Sequence, residues 1–261
     1  MMVFWLIFGF IFGLAIGSFL NCLMWRLYHK KSMLGRSICP LCGHQLSFRD
    51  NIPIISFILL KGHCRYCHKK ISIQYPLVEL ISGLLFSLVV LKNFGYLPSF
   101  NFLENYLPII QVRGGMLALQ IIRDWLGVFT LLFIFVYDLK YQIIEDIVLL
   151  PAAGIVFILN LFLGWSWQGM MISLFLALVF FGLQYVLTKA KGIGLGDIRI
   201  GIFLAVFFAN FRIFLVVLFL SYIIGALISL ILIIFKEKKW SSQIPLGPFL
   251  SLGGFLILFF S

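Results

Sequence analysis

Two aspartates stand where an apolar chain has little reason to place them. Asp138 follows the apolar run from Trp125 to Tyr137, and Asp197 closes the loop Gly194-Leu195-Gly196-Asp197 just before another apolar run. Only nine Asp and Glu occur in 261 residues. A carboxylate in or at the edge of a membrane helix costs roughly 2.5–3.5 kcal/mol on insertion scales, so a chemical task is the default reading of each. Two such acids on separate helices can divide one proton between them, the arrangement that lets an aspartic-type hydrolase activate water with one group and polarise a carbonyl with the other. Gly194 and Gly196, with Gly192, are expected to give the Asp197 loop backbone conformations closed to other residues, so that main chain can approach a peptide.

Asp146 is the rival to Asp138, eight residues further on and just before the next apolar run. It can equally be the N-cap of that helix, where Asp is favoured as an acceptor for free backbone N–H groups. Glu145 and Asp146 also form a local acidic pair on a strongly basic face, and Glu79 lies just inside a second apolar segment; these three are candidate substrate contacts. For Glu79, snorkelling toward Lys70 is the alternative. No H-E-x-x-H zinc-protease motif and no plausible Ser-His-Asp or Cys-His arrangement competes with the aspartates.

The other chemistry-bearing cluster is Cys39-Pro40-Leu41-Cys42 and Cys64-Arg65-Tyr66-Cys67, with 21 residues between the pairs. Paired C-x-x-C turns at about this spacing read as one tetrahedral zinc site. Four thiolates leave no open position for substrate, so the metal is expected to be structural and to supply folding energy to a loop without a core. His44, His63 and His68 flank the turns and read as solvated loop residues.

Positioning these groups is the task of a membrane framework. The chain is 62% hydrophobic and 11% charged, with a mean hydropathy of +1.11. Such a composition excludes a soluble domain of this length and predicts an all-α polytopic membrane protein. Apolar stretches at 3–24, 76–91, 116–137, 147–164, 170–188, 198–211, 213–235 and 245–260 give about eight transmembrane helices. The stretch 198–211 spans only about 21 Å, so it must start inside the protein or lie in thinned lipid. The organisation is then a first helix over 1–24, a small zinc-knuckle-like cytoplasmic loop over 25–75, and a membrane catalytic core over 76–261. Of the twenty Lys and Arg, sixteen fall on one side of this eight-span arrangement, and Lys92, Arg113, Arg123 and Arg212 on the other. That bias puts the N-terminus outside and both Asp138 and Asp197 at cytoplasmic helix ends. The net charge of +11 is accounted for by topology and attraction to anionic lipid, with no call for nucleic acid. Gly13 and Gly17 are expected to let the first helix pack closely.

The order of motifs resembles a known family: Gly17-Ser18-Phe19-Leu20-Asn21 and Arg26-Leu27, then the cysteine pairs with Asp50-Asn51-Ile52-Pro53 between them. Tyr75-Pro76-Leu77-Val78-Glu79, Asp138, the Gly194–Asp197 loop and Pro245-Leu246-Gly247-Pro248-Phe249 follow in the same order. Over nearly its whole length the chain is similar to type IV prepilin peptidases, membrane aspartic proteases of the GxGD class. The resemblance implies cleavage of type IV prepilins or pilin-like (pseudopilin or competence) precursors after a glycine at the cytoplasmic membrane face. It also implies N-methylation of the new terminus with S-adenosylmethionine, although no glycine-rich nucleotide-binding fold marks a methyl-donor site. Glu145-Asp146 stands where the family commonly has Pro-Asp, and Arg199 where it commonly has Lys. Presenilin and signal-peptide-peptidase enzymes share the Tyr-Asp and Gly-x-Gly-Asp pairing, but their Pro-Ala-Leu motif is absent. A transporter with midplane acids and a zinc-binding loop, or a non-enzymatic zinc scaffold on a membrane anchor, are readings of a different class.

Overall fold

In the computed structural model, which describes residues 2–97, 116–189, 193–235 and 244–260, every regular element is a helix. They form two compact units, Met1–Tyr96 and Leu97–Ser261.

The first unit is built on α1, Met2–Tyr28, and α3, Gln74–Asn93, with a short helix α2, Ile55–Leu59, in the loop between them. Glycines on α1 recur every fourth residue, and each abuts α3 in reverse order. A Cβ on Gly13 would lie 2.7 Å from the Ser82 carbonyl, and one on Gly17 would lie 2.7 Å from the Glu79 Cα. The two helices therefore run antiparallel with their backbones in contact, the packing expected of Gly13 and Gly17.

The second unit contains α4, Leu117–Tyr141; α5, Asp146–Phe162; α6, Trp167–Leu187; α7, Leu195–Phe208; α8, Phe211–Ile234; and α9, Gly247–Phe260. The short α7 is the hub: α5, α6, α8 and α9 all pack on it, and Ile200, Phe203, Leu204 and Phe207 are wholly buried. Rings and glycines interlock around it, Phe181 of α6 over Gly201 and Phe207 against Gly127 of α4.

The end of α7 explains how so short a helix is tolerated. The last carbonyls of a helix have no intrahelical donor and need partners when water is excluded. Here the Asn160 side chain of α5 donates to the Val206 carbonyl at 2.8 Å, and the Arg123 guanidinium of α4 donates to the Phe207 carbonyl. The helix thus ends inside protein. Arg123, counted in the sequence among the outer-side charges, is buried: it also donates to Asn160 at 2.8 Å and to Asp124 at 2.6 Å, and its guanidinium lies over the Trp165 and Phe207 rings.

Among the described residues the eight long helices coincide with the eight apolar stretches of the sequence. Five of them, α1, α3, α4, α6 and α8, are long and apolar enough to cross a membrane. With α5 and α9 apolar but shorter, this is a multi-pass membrane protein. Of the charges used to orient it, Arg113, Lys191, Lys236, Lys238 and Lys239 lie outside the described residues, as does Gly192.

Candidate active site and cysteine centre

Asp138 sits one turn before the end of α4, which closes at Gln142 in a left-handed conformation (φ 53°) with its N–H bonded to the Asp138 carbonyl. The Asp138 side chain is buried and, among the described residues, receives one hydrogen bond, from the Gly247 N–H at 3.0 Å. Gly247 opens α9, so the positive end of that helix faces the carboxylate. The approach demands glycine: a Cβ at 247 would lie 2.5 Å from Asp138 Oδ2. In the sequence Gly247 is marked only as a member of the Pro245–Phe249 run. A glycine held between two prolines at a helix start was the available signal.

Asp197 lies in the first turn of α7. Its Oδ2 accepts the Gly194 N–H at 2.9 Å, so it too faces the amino end of a helix. Asp138 and Asp197 are close enough for the Asp197 charge to act on Asp138. What joins their neighbourhoods is Ile144, in the turn after α4, which lies against Gly196; a Cβ there would meet Ile144 Cγ1 at 2.5 Å. The glycines of the loop serve differently from the sequence expectation. Gly194 has an ordinary extended backbone (φ −88°, ψ 164°), and Gly196 is not among the positive-φ residues. Gly196 is needed for closeness to Ile144, whereas a Cβ on Gly194 would make only ordinary contacts, with the Asp197 carboxylate and the Gly196 nitrogen, both at 3.8 Å. Tyr222 of α8 also feels the Asp197 charge, and its hydroxyl donates to Gln184 of α6 at 3.0 Å; neither residue was singled out in the sequence.

The acidic pair beside the site has partners of its own. Glu145 accepts from the Tyr137 hydroxyl at 2.9 Å, and Asp146 pairs with Arg199 of α7 at 2.9 Å while staying about half exposed. Asp146 is the first residue of α5 and makes no side-chain cap, with Glu145 in the N-cap position. The two positions that depart from the family pattern, 145 and 199, thus meet around Asp146. In the other unit, Glu79 accepts the Ile54 N–H at 2.7 Å and a hydrogen bond from Ser18; these, and not Lys70, are its partners.

The four cysteines converge. The sulfurs of Cys39, Cys42, Cys64 and Cys67 all lie within 4.8 Å of one another. Zn–S bonds of about 2.3 Å in a tetrahedron would set them roughly 3.8 Å apart, so this donor set fits one ion after slight closure. Two matching turns hold them. Cys39 bonds through its N–H to the His44 carbonyl and through its carbonyl to the Gly43 N–H; Cys64 does the same with Lys69 and His68. Gly43 (φ 71°) and His68 (φ 56°) occupy equivalent left-handed positions, so His68 is a turn residue, and the His44 ring lies on Tyr66. Burial alone would push the Cys64 thiol up, but backbone N–H groups of Cys67 and Tyr66, together with the neighbouring cysteines, bring it down to about 7.

Comparison with known proteins follows the same division. Residues 11–93 match the bacterial peptidase A24 N-terminal domain, and residues 125–230 match the type IV leader peptidase family. A prepilin leader peptidase/N-methyltransferase of Aeromonas salmonicida is 31% identical, over 97% of this chain and 91% of its own. Its namesake in Pseudomonas aeruginosa is 27% identical over 94% and 87%. A type 4 prepilin-like proteins leader peptide-processing enzyme of Escherichia coli O78:H11 is 29% identical over 95% and 91%. No solved structure gives a significant match.

Proposed function

Since the chain belongs to the type IV leader peptidase family, we propose that it is a membrane aspartic endopeptidase acting through Asp138 and Asp197. Its substrates in this reading are type IV prepilins or pilin-like precursors, cut after the glycine that ends a short basic leader. The observation that carries the proposal is the pair of acids in one unit, Asp138 buried and Asp197 partly buried, each accepting a glycine N–H at a helix amino end. A carboxylate can accept about four hydrogens, so each keeps an oxygen for water, for the shared proton or for the scissile carbonyl. The ionised member takes a proton from the attacking water. The protonated member donates to the carbonyl oxygen; as the tetrahedral intermediate collapses, that proton returns to it and the proton taken from water passes to the leaving amine. Gly194 and Gly196 keep the main chain beside Asp197 free of side chains.

The lysine and arginine distribution supports a cytoplasmic membrane location with the N-terminus outside and the dyad at the cytoplasmic face. Glu145 and Asp146 are proposed to draw in the basic leader; Asp146, half exposed in its pair with Arg199, retains a free edge for a second cation. Glu79 is taken up within its own unit and fits an internal brace better than a leader contact. The cysteine set is proposed to hold one structural zinc through Cys39, Cys42, Cys64 and Cys67, uniting the two turns. N-methylation of the new terminus is proposed as a second activity, with S-adenosylmethionine as donor. The described residues present no glycine-rich nucleotide cradle of the soluble kind, and no residue is assigned to that donor.

The test is co-expression with a prepilin. Cleavage shifts the precursor by a few residues' mass, and Asp138→Asn and Asp197→Asn should each abolish the shift while Asp146→Asn retains it. An active Asp138→Asn beside a dead Asp146→Asn would reassign the first acid.

A further inference from the structure

The loop between α1 and α3 contains a run that its average polarity hides. From Ile52 to Leu60 the sequence is Ile-Pro-Ile-Ile-Ser-Phe-Ile-Leu-Leu, apolar at every position but Ser56. An apolar run of such length is too short to span and suits a core or an interfacial segment. It is not core: no residue of α2 is buried, and Ile55, Ile58 and Leu59 are 54%, 66% and 75% exposed. Their spacing of i, i+3 and i+4 puts them on one helical face. Phe48, just upstream, is exposed as well.

The height of this face is fixed by a tether. Ile54 precedes α2 with φ 60° and ψ −49°, a conformation that a β-branched residue adopts only under constraint. Its N–H is held by the buried Glu79 carboxylate at 2.7 Å. Glu79 is five residues into α3, about 7 Å below its start. It also lies against Gly17, eleven residues (about 16 Å) before α1 ends. Both helices are long and apolar enough to cross a membrane. The exposed apolar stripe of α3, Leu77, Leu80 and Leu84, begins before the level of Glu79. The start of α2 is therefore tied at a depth where the helix beside it already presents apolar side chains outward. Charge fits the same occupant. Residues 25–75 carry nine Lys and Arg against one acid, Asp50, and Lys61 immediately follows the apolar run.

We propose that residues 52–60 form an interfacial anchor that lays Ile55, Ile58 and Leu59 into the headgroup–acyl boundary of the leaflet beside α1 and α3. Lys61, Lys69 and Lys70 then lie at the level of the anionic headgroups. The strained Ile54 and the buried Glu79 are explained together: the carboxylate holds the chain where α2 can lie along the surface. This inference rests on membrane residence and stands independently of the peptidase reading.

The test uses the full chain in nanodiscs of phosphatidylethanolamine and phosphatidylglycerol, with the photoreactive residue p-benzoylphenylalanine incorporated at Ile58, at Leu59 or, as an exposed control, at Arg65. Irradiation followed by mass spectrometry identifies what each position touches. The expected result is lipid adducts at 58 and 59 at least fivefold above the Arg65 yield, unchanged when a prepilin is reconstituted alongside. Lipid adducts no higher than the control would overturn the proposal. So would cross-links at 58 and 59 to this chain, to a second copy or to the prepilin in place of lipid, which would make the face a protein-docking surface.

Discussion

Helix α4 buries a charge near each end, and the two ends treat it in opposite ways. At Arg123 each guanidinium nitrogen has an acceptor, Asn160, Asp124 and the Phe207 carbonyl, and two rings cover its faces. At Asp138, about 22 Å along the same helix, a buried carboxylate receives one N–H. The first arrangement is complete, so it can only hold structure, and it does so by closing the end of α7. The second is unfinished, and an unfinished buried acid facing another acid is kept for chemistry. Burial alone does not separate the two; unused hydrogen-bonding capacity does.

The largest expected effect tests that distinction directly. Asp138→Asn or Asp197→Asn should lower cleavage about a thousandfold or more while leaving thermal unfolding of the detergent-solubilised protein near that of the parent. Asp124→Asn should do the reverse. Leaving the Arg123 charge uncompensated should cost about 3–5 kcal/mol of stability, with cleavage per folded molecule within a few-fold of normal. Thermal unfolding together with initial rates on a purified prepilin reads both. An Asp124→Asn protein of normal stability and no activity would break the comparison.

A smaller and sharper effect separates the glycines. Gly247→Ala forces a methyl against Asp138 Oδ2 and should cut cleavage at least tenfold, chiefly in kcat, because the acid is displaced without loss of a substrate contact. Gly194→Ala, with an ordinary backbone and no close neighbour, should stay within a few-fold. Equal losses would mean that the loop beside Asp197 is as tightly enclosed as the start of α9.

These residues also mark how far the sequence could be read. Asp138, Asp197 and the four cysteines were legible because each is scarce in its setting: an acid in an apolar run, paired thiols in a short loop. The long helices among the described residues were legible because hydropathy is local. Arg123 was not, because its partners other than the adjacent Asp124 lie 37 and 84 residues away, and an adjacent acid does not distinguish a buried guanidinium from an exposed one. Gly247 was missed for the same reason, its constraint being a side chain 109 residues distant. The run 52–60 failed differently. Its apolarity was in plain view, but it was averaged into a loop read as polar, and the tie from Ile54 to Glu79 that gives it a depth is again long-range.

The smallest effect concerns an acid of the complete kind in the cysteine loop. Asp50 is nearly inaccessible and accepts from the Ser47 N–H and hydroxyl, Arg65 and the Tyr66 hydroxyl, thereby bracing the second cysteine turn. Burial on its own would raise its carboxyl, but the Ser47 and Arg65 contacts outweigh it and hold it below the usual carboxylate range. A carboxyl depressed by folding contributes stability that is complete above its unfolded value near 3.9 and is lost as pH falls through the lower folded value. Arg65 is half exposed, so its charge adds little, and the brace as a whole should be worth about 1 kcal/mol. Asp50→Asn should therefore release metal to a chelator about fivefold more readily, and by the same factor at every pH from 8 to 5. Thiolate protonation weakens metal binding over that range in both proteins alike, and so cancels from the ratio. A ratio that collapses between pH 7 and 6 would place Asp50 among the groups that tune the thiolates. A constant ratio leaves it, like Arg123, a charge whose partners are all found and whose work is to hold a turn.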